Sequence, residues 1–164
     1  MAIICASSCN LEAELFYFSS VEEYERKDKQ QFSVEKYEFF IEEGSEFECL
    51  IAKRFFSESH AVEKYFELIE EYENSITEEN LVALSYLFEY ENCDVEEALR
   101  RMEDVMVFEG SAKDYAVEIY QDEIESKFGR LAYYFDYRLL GQDLVLGGDV
   151  DEYTIGYKKY IITS

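Results

Sequence analysis

The chain has 164 residues, with 38 Asp and Glu against 15 Lys and Arg, so its formal net charge is −23 at pH 7. This length suffices for one or two small domains with a buried core, and a hydrophobic content of 48% argues against charge-driven disorder. Nucleic-acid-binding proteins carry basic patches, so direct DNA or RNA binding is not expected, and the excess charge indicates a partner protein with a positive surface.

Residues 1–56 read mainly as an antiparallel sheet with one short helix. Ser20 followed by Glu23 has the form of a capping box, which predicts a charged helix through Lys29. Residues 42–45 resemble a hairpin turn. Short apolar runs predict four strands, at Ala2–Ala6, Glu14–Phe18, Lys36–Glu42 and Phe47–Phe56.

Residues 57–103 change to helical periodicity and predict a small bundle of three helices. The first is capped by Ser57 or Ser59 and ends near Glu73, the second begins after Thr77, and the third begins after Asp94. The predicted buried positions are Val62, Tyr65, Phe66, Ile69 and Tyr72 on the first helix, and Leu81, Leu84, Leu87 and Phe88 on the second.

Residues 104–164 are mixed. A strand is predicted at 105–108, and Ser111 with Asp114 predicts a capping box that opens a helix to about Lys127. The apolar face of that helix is assigned to Tyr115, Ile119 and Phe128. After a break at 147–149, two short strands near 150–153 and 159–162 form a hairpin. The predicted fold is α+β and elongated, with domains 1–56, 57–103 and 104–164.

The carboxylates of the helical region recur at four-residue spacing, about 6 Å apart along a helix axis. Each pair of like charges at this spacing destabilises a helix by about 0.2–0.5 kcal/mol. An array that is kept against this cost suggests a functional use. Each strand of duplex DNA presents one negative charge per 3.4 Å of axis, and such an array imitates it coarsely. The candidate DNA-mimic acids are Glu63, Glu67, Glu70, Glu71, Glu78, Glu79, Glu96, Glu97, Asp114, Glu118, Asp122 and Glu125.

Catalysis, cofactors and metals are not expected. With 38 acids, chance carboxylate pairs are inevitable, and the chain contains no HExxH, Walker, GxSxG or calcium-loop motif. His60 is the only histidine and is interpreted as a surface or capping residue. No CxxC pair occurs among Cys5, Cys9, Cys49 and Cys93, which are interpreted as free thiols in a reducing cytoplasm. No signal peptide or membrane span is recognised.

The segment Gly129–Leu144 is the least acidic long stretch and carries the most specific motif. Tyr134, Phe135, Asp136 and Tyr137, followed by Leu140, Gly141, Gln142, Asp143 and Leu144, resemble the ArdA-type antirestriction proteins. Their pattern is an aromatic or aliphatic residue, Asp-Tyr, a few residues, then Gly-Arg-Asp-Leu. Gln142 stands here where the family usually has Arg. The similarity is good over residues 111–164 and poor over residues 1–56.

The resemblance implies an elongated homodimer, encoded by a phage or mobile element, that mimics bent duplex DNA. Such proteins occupy the DNA-binding groove in the methyltransferase core of type I restriction–modification enzymes in the bacterial cytoplasm, without catalysis or cofactor. Two alternatives stay open. One is inhibition of another DNA-binding defence enzyme, for example a CRISPR effector. The other is an acidic scaffold or chaperone for basic proteins, which predicts binding to any cationic partner.

Two interpretations of Gly129–Leu144 are compatible with its composition. Leu131, Tyr134 and Phe135 recur at helical spacing, which is typical of core residues, and Asp136 can N-cap a second short helix carrying Leu140 and Leu144. Alternatively, two subunits of net charge −23 need a contact surface of low net charge. This stretch is the best candidate for that contact.

Overall fold

The computed structural model describes residues 2–8, 14–31 and 36–164. It confirms the predicted α+β fold, with an N-terminal three-stranded antiparallel sheet, a helical middle, and C-terminal helices joined to a β-hairpin sheet. The chain divides into two compact units, an N-terminal unit, Met1–Leu99, and a C-terminal unit, Arg100–Ser164. The division into three domains stays a prediction.

The sheet of the N-terminal unit has the order β2-β1-β3. Strand β1 (Ile3–Ser8) lies between β2 (Phe16–Phe18) and β3 (Tyr37–Glu43), and both pairs are antiparallel. Cys5 is opposite Tyr17 on one side and Phe40 on the other. Three of the four predicted strands are therefore confirmed.

Helix α1 (Val21–Asp28) follows β2 and begins where the capping signal predicted. The Ser20 hydroxyl accepts a hydrogen bond from the Glu23 backbone N–H at 3.2 Å. The Glu23 carboxylate accepts one from the Ser19 N–H at 3.0 Å. The Lys27 ammonium, 2.7 Å from the same carboxylate, is the main reason that the pKa of Glu23 falls to about 2.

The predicted strand Phe47–Phe56 is wrong, because this segment lies in helix α2 (Glu46–Glu58). Ser45 and Glu48 form a complete capping box, so residues 42–45 lead into a helix and do not form a hairpin turn. The buried Glu48 carboxylate also accepts a hydrogen bond from the Ala2 N–H at 2.6 Å. Burial of Phe47, Ile51 and Phe55 follows the four-residue spacing of one helical face.

Helices α3 (Val62–Tyr72), α4 (Glu78–Glu89) and α5 (Val95–Arg101) confirm the helical middle. Both α3 and α4 pack against α2, so the bundle is organised around the segment expected to be a strand. Thr77 caps α4 in a capping box with Asn80. The predicted cap of α3 is wrong: Ser57 lies within α2, Ser59 ends it, and α3 begins after Ala61 without a side-chain cap.

The aromatic side chains account for much of the packing between the sheet and these helices. Phe39 of β3 contacts Phe56 of α2, with ring centroids 4.9 Å apart, and Phe56 contacts the fully buried Tyr65 of α3 at 5.0 Å. Burial raises the pKa of Tyr65. His60 is exposed, and its ring lies edge-on to Phe39 at 6.1 Å, in agreement with a surface position.

The C-terminal unit contains a three-stranded antiparallel sheet with the order β4-β6-β5. Strand β4 (Met106–Glu109) precedes helix α6 (Ala112–Phe128), a 3-10 helix (Gly129–Tyr134) and helix α7 (Tyr137–Gly147). The hairpin of β5 (Asp151–Ile155) and β6 (Lys158–Thr163) turns at Gly156 and Tyr157. Gly156 has φ +60°, which suits the first central position of a tight hairpin turn.

The buried face of α6 differs from the predicted one. Ile119 and Phe128 are exposed and Tyr115 is half-buried, whereas Ala112, Ala116 and Ile124 are buried. Small residues face inward because α7 approaches the start of α6 very closely. A Cβ atom on Gly141 would lie 2.4 Å from the Ala112 carbonyl oxygen. Only a residue without a side chain fits at this crossing.

Candidate functional site

The net charge is concentrated in the N-terminal unit. Residues 1–99 hold 25 carboxylates against 7 cationic side chains, a net charge of −18, whereas residues 100–164 hold 13 against 8, a net charge of −5. The imbalance is sharpest over residues 55–99, where 13 carboxylates accompany a single cation, Lys64. The two units therefore present different surfaces to a partner.

Helix α3 carries the densest group of candidate acids. Its buried side, formed by Val62, Tyr65, Leu68 and Ile69, fixes the rotation of the helix. With this rotation, four carboxylates of α3 are exposed to solvent, namely Glu63, Glu67, Glu70 and Glu71. No described side chain forms an ion pair with these four, since Lys64 instead lies 3.4 Å from Glu96 of α5. Their mutual repulsion is thus uncompensated within the described part of the chain.

The candidate acids of α4 and α5 lie in first helical turns, where they favour the helix dipole. Glu78 and Glu79 follow the Thr77 capping box and are exposed. Asp94 accepts a hydrogen bond from the Glu97 N–H at 2.8 Å and so caps α5. Glu96 is exposed and Glu97 is half-buried, which makes Glu97 the least accessible of the twelve candidate acids.

The four candidate acids of α6 are all exposed, namely Asp114, Glu118, Asp122 and Glu125. Asp114 is committed to the cap of its helix, since its carboxylate accepts hydrogen bonds from the hydroxyl and the N–H of Ser111. The hydroxyl contact is the main cause of the lowered pKa of Asp114. Glu125 accepts a hydrogen bond from the Gln121 amide at 2.7 Å. Asp114, Glu118 and Asp122 follow one another at four-residue spacing.

Several motif residues of the C-terminal unit contribute to its fold. Asp136 caps α7 by accepting a hydrogen bond from the Leu139 N–H at 3.0 Å. Gly141 makes the α6–α7 crossing, and Leu144 packs against a small core of Ala112, Val150 and Ile161. Among the other motif residues, Tyr137 and Leu140 are half-buried and Asp143 is exposed. At the departure from the family pattern, Gln142 accepts a hydrogen bond from Arg138.

The interpretation of Leu131, Tyr134 and Phe135 as core residues is wrong. Their exposed fractions are 68%, 81% and 38%, and the neighbouring Tyr133 is 89% exposed. Ala132 is the buried residue of the 3-10 helix, so the large side chains on either side of it project to the surface. Together with Leu139, these residues form what we call the exposed apolar segment (Leu131, Tyr133, Tyr134, Phe135 and Leu139). The composition of the stretch pointed to it, since it is poor in carboxylates.

A groove between α1 and α3 was not predicted. It has a volume of about 270 Å³ and is lined by apolar side chains together with carboxylates from both helices. The sequence offered no signal for it, because its two sides are about 40 residues apart.

Residues 2–8, 14–31 and 36–164 contain no group of three or more His, Cys, Asp or Glu side chains placed to hold a metal ion. Cys5 and Cys93 are buried free thiols and Cys49 is a half-buried one, whereas Cys9 lies outside the described residues. Burial raises the pKa of Cys5. Within the same described ranges, no helix has the length and apolar character needed to cross a membrane.

Comparisons of the chain with protein-family models, with curated proteins and with solved structures find no match.

Proposed function

We propose that this protein is a DNA mimic that inhibits a type I restriction–modification enzyme by occupying the DNA-binding groove of its methyltransferase core. The observation that carries the proposal is the set of exposed, unpaired carboxylates on α3, extended by the acids of α4 and α5. Glu63, Glu67 and Glu71 follow one another about 6 Å apart along the axis of α3, which coarsely imitates the one charge per 3.4 Å that each strand of duplex DNA presents to a basic groove.

The destabilisation that this array of like charges causes argues against a purely structural origin. Acids in the first turn of a helix stabilise it, which accounts for Glu78, Glu79 and Glu96. Glu67, Glu70 and Glu71 lie later in α3, where the helix dipole gives no benefit and like-charge spacing costs stability. A surface that is unfavourable for its own helix and favourable for a cationic partner supports a role in binding.

We also propose that the protein is a homodimer, and the exposed apolar segment supports this. Each fully exposed tyrosine offers about 150–250 Å², so Tyr133 and Tyr134 supply roughly half of the about 800 Å² that each partner of a standard interface buries. The segment belongs to the unit of net charge −5, where repulsion between two copies is weakest. The acids of α3 and α4 belong to the other unit and lie outside this segment.

The test is restriction of unmodified phage in bacterial hosts that each carry one type I system. Expression of this protein should raise the plating efficiency in at least one host, and the host's modification of the phage should fall in parallel. If expression protects phage only against a CRISPR effector, the target is an enzyme of that class. Absence of protection across several type I systems would contradict the proposal.

The scaffold alternative is separated by a binding experiment. A mimic competes with duplex DNA for one enzyme and ignores other basic proteins. Equal binding to the enzyme and to a histone-like protein, without displacement of DNA, would favour a scaffold for basic proteins instead.

A further inference from the structure

The groove between α1 and α3 combines an apolar floor with an acidic rim. Val21 and Tyr24 of α1 face Val62 of α3 across it, and the rim carries Glu25 from one helix and Glu63 with Glu67 from the other. Glu63 and Glu67 are four residues apart, so they lie on the same side of α3. Neither has an ion-pair partner among the described residues.

The floor of the groove is closely packed. The Tyr24 ring is held by four other rings of the sheet and its connections, with centroid distances of 6.1 Å to Phe16, 5.0 Å to Phe18, 6.2 Å to Tyr37 and 5.9 Å to Phe39. Val62 is buried. A ligand entering the groove therefore meets a preformed surface, and binding costs little reorganisation.

Lys64 also lines the groove, but its ammonium group is drawn toward Glu96, 3.4 Å away on α5. Among the residues that the structure describes, Glu25 pairs with Lys29 alone, at 3.3 Å, and both side chains are at least half exposed, so this pair is weak. The rim thus keeps a net negative charge. The volume of about 270 Å³ is below the range of about 300–1,000 Å³ that small-molecule sites occupy, and it suits a single long side chain.

We propose that this groove receives one arginine side chain of the basic partner protein. An arginine presents a flat guanidinium that stacks on an aromatic ring and binds carboxylates through several N–H groups, on an aliphatic stem that packs against apolar surface. Val62 matches the stem and Tyr24 matches the guanidinium face, while Glu63 and Glu67 match its charge. The groove would then be an anchor point within a broader acidic surface, and the inference rests on the proposed function for the identity of the partner.

The test uses a probe that does not depend on that partner. Ethylguanidinium is titrated into ¹⁵N-labelled protein while amide chemical shifts are followed. We expect saturable shifts confined to residues 21–25 and 61–67. The double variant Glu63→Gln/Glu67→Gln should weaken this binding by about fivefold or more. The matched control, Glu70→Gln/Glu71→Gln, removes the same charge from the same helix outside the groove and should change it less than twofold.

Ala61→Trp provides a second variant, because it fills the groove without altering the charge. This variant should abolish the localised chemical-shift changes. In a separate titration of the wild-type protein, ethylammonium should bind the groove more weakly than ethylguanidinium. Equal effects of the two charge variants, or shifts spread over every acidic helix, would overturn the inference while leaving the proposed function intact. Failure of the proposed function would instead show as an absence of enzyme binding, with the probe result unchanged.

Discussion

Gly141→Ala tests whether the motif at Leu140–Leu144 serves the packing of the C-terminal unit. The added Cβ would lie 2.4 Å from the oxygen and 2.5 Å from the carbon of the Ala112 carbonyl. Ordinary contacts of this kind are 3.4–4 Å, so α7 must move by about 1 Å against α6. Overpacking of this sort costs about 1–3 kcal/mol, and backbone atoms yield less readily than side chains.

The same change has an opposing effect, since Ala stabilises a helix interior by about 0.5–1 kcal/mol relative to Gly. Because the clash is with backbone atoms, the overpacking cost lies at the upper end of its range, and the net loss in unfolding free energy is about 2 kcal/mol. For a chain of this length, that loss lowers Tm by roughly 4–8 °C. Thermal unfolding followed by circular dichroism measures it. Gly147→Ala is the control on the same helix, because its Cβ would meet only the flexible Asp149 side chain at 3.2 Å. The reasoning is refuted if both variants unfold at or above the wild-type temperature.

Three further predictions concern the other features of the molecule. Ser45→Ala removes the cap of α2 and should lower the unfolding free energy measured in urea by about 1 kcal/mol. The control Ser57→Ala, at an exposed position near the end of α2, should lower it by less than about 0.5 kcal/mol. Equal losses in the two variants would contradict the capping assignment. Glu23→Gln should lower the unfolding free energy at neutral pH, and its difference from wild type should vanish as pH falls from about 4.5 to about 2. The reason is that a carboxylate whose pKa is lowered in the folded state stabilises the fold only above that pH window. A difference that is constant with pH would exclude the Lys27 contact as its cause. Tyr133→Ser/Tyr134→Ser should shift the molecule from dimer to monomer in sedimentation velocity with little change in Tm, and an unchanged sedimentation coefficient would show that the exposed apolar segment is not the contact.

Helix starts could be predicted from the sequence because capping is local. The sequence predicts Ser20, Thr77, Asp94, Ser111 and Asp136 as helix caps from their neighbouring residues, and each accepts a hydrogen bond from the backbone N–H three positions later. Such a contact depends on neighbouring residues alone, so the rest of the fold does not alter it.

Helix α2 escaped prediction because its apolar run fits two structures. Phe47, Ile51 and Phe55 have helical spacing, but the run Phe47–Phe56 also resembles a buried strand, and periodicity alone does not separate them at this length. Ser45 and Glu48 carried the deciding signal as a capping box. The pattern was interpreted as a hairpin turn because Gly44 precedes it.

The exposed apolar segment shows a different limit. Helical spacing of Leu131, Tyr134 and Phe135 identifies residues that share a face but not what covers that face. Likewise, the close approach of Gly141 to Ala112 joins residues 29 positions apart, and nothing local to either one announces it. Of the twelve candidate acids, eleven are exposed as a binding role requires, because charged side chains are rarely buried without a partner.

The most direct test of DNA mimicry is displacement of a labelled target duplex from the methyltransferase core of a type I enzyme, followed by fluorescence anisotropy at several salt concentrations. The wild-type protein should displace the duplex, with an affinity that falls steeply as salt rises. A variant with glutamine at Glu63, Glu67, Glu70 and Glu71 should compete at least about tenfold less well, since each of these charges contributes a fraction of a kcal/mol. A control with the same charge change at Glu103, Asp104, Asp149 and Glu152 should compete nearly as well as wild type. Displacement that is independent of salt, or equal losses in both variants, would contradict phosphate mimicry by α3.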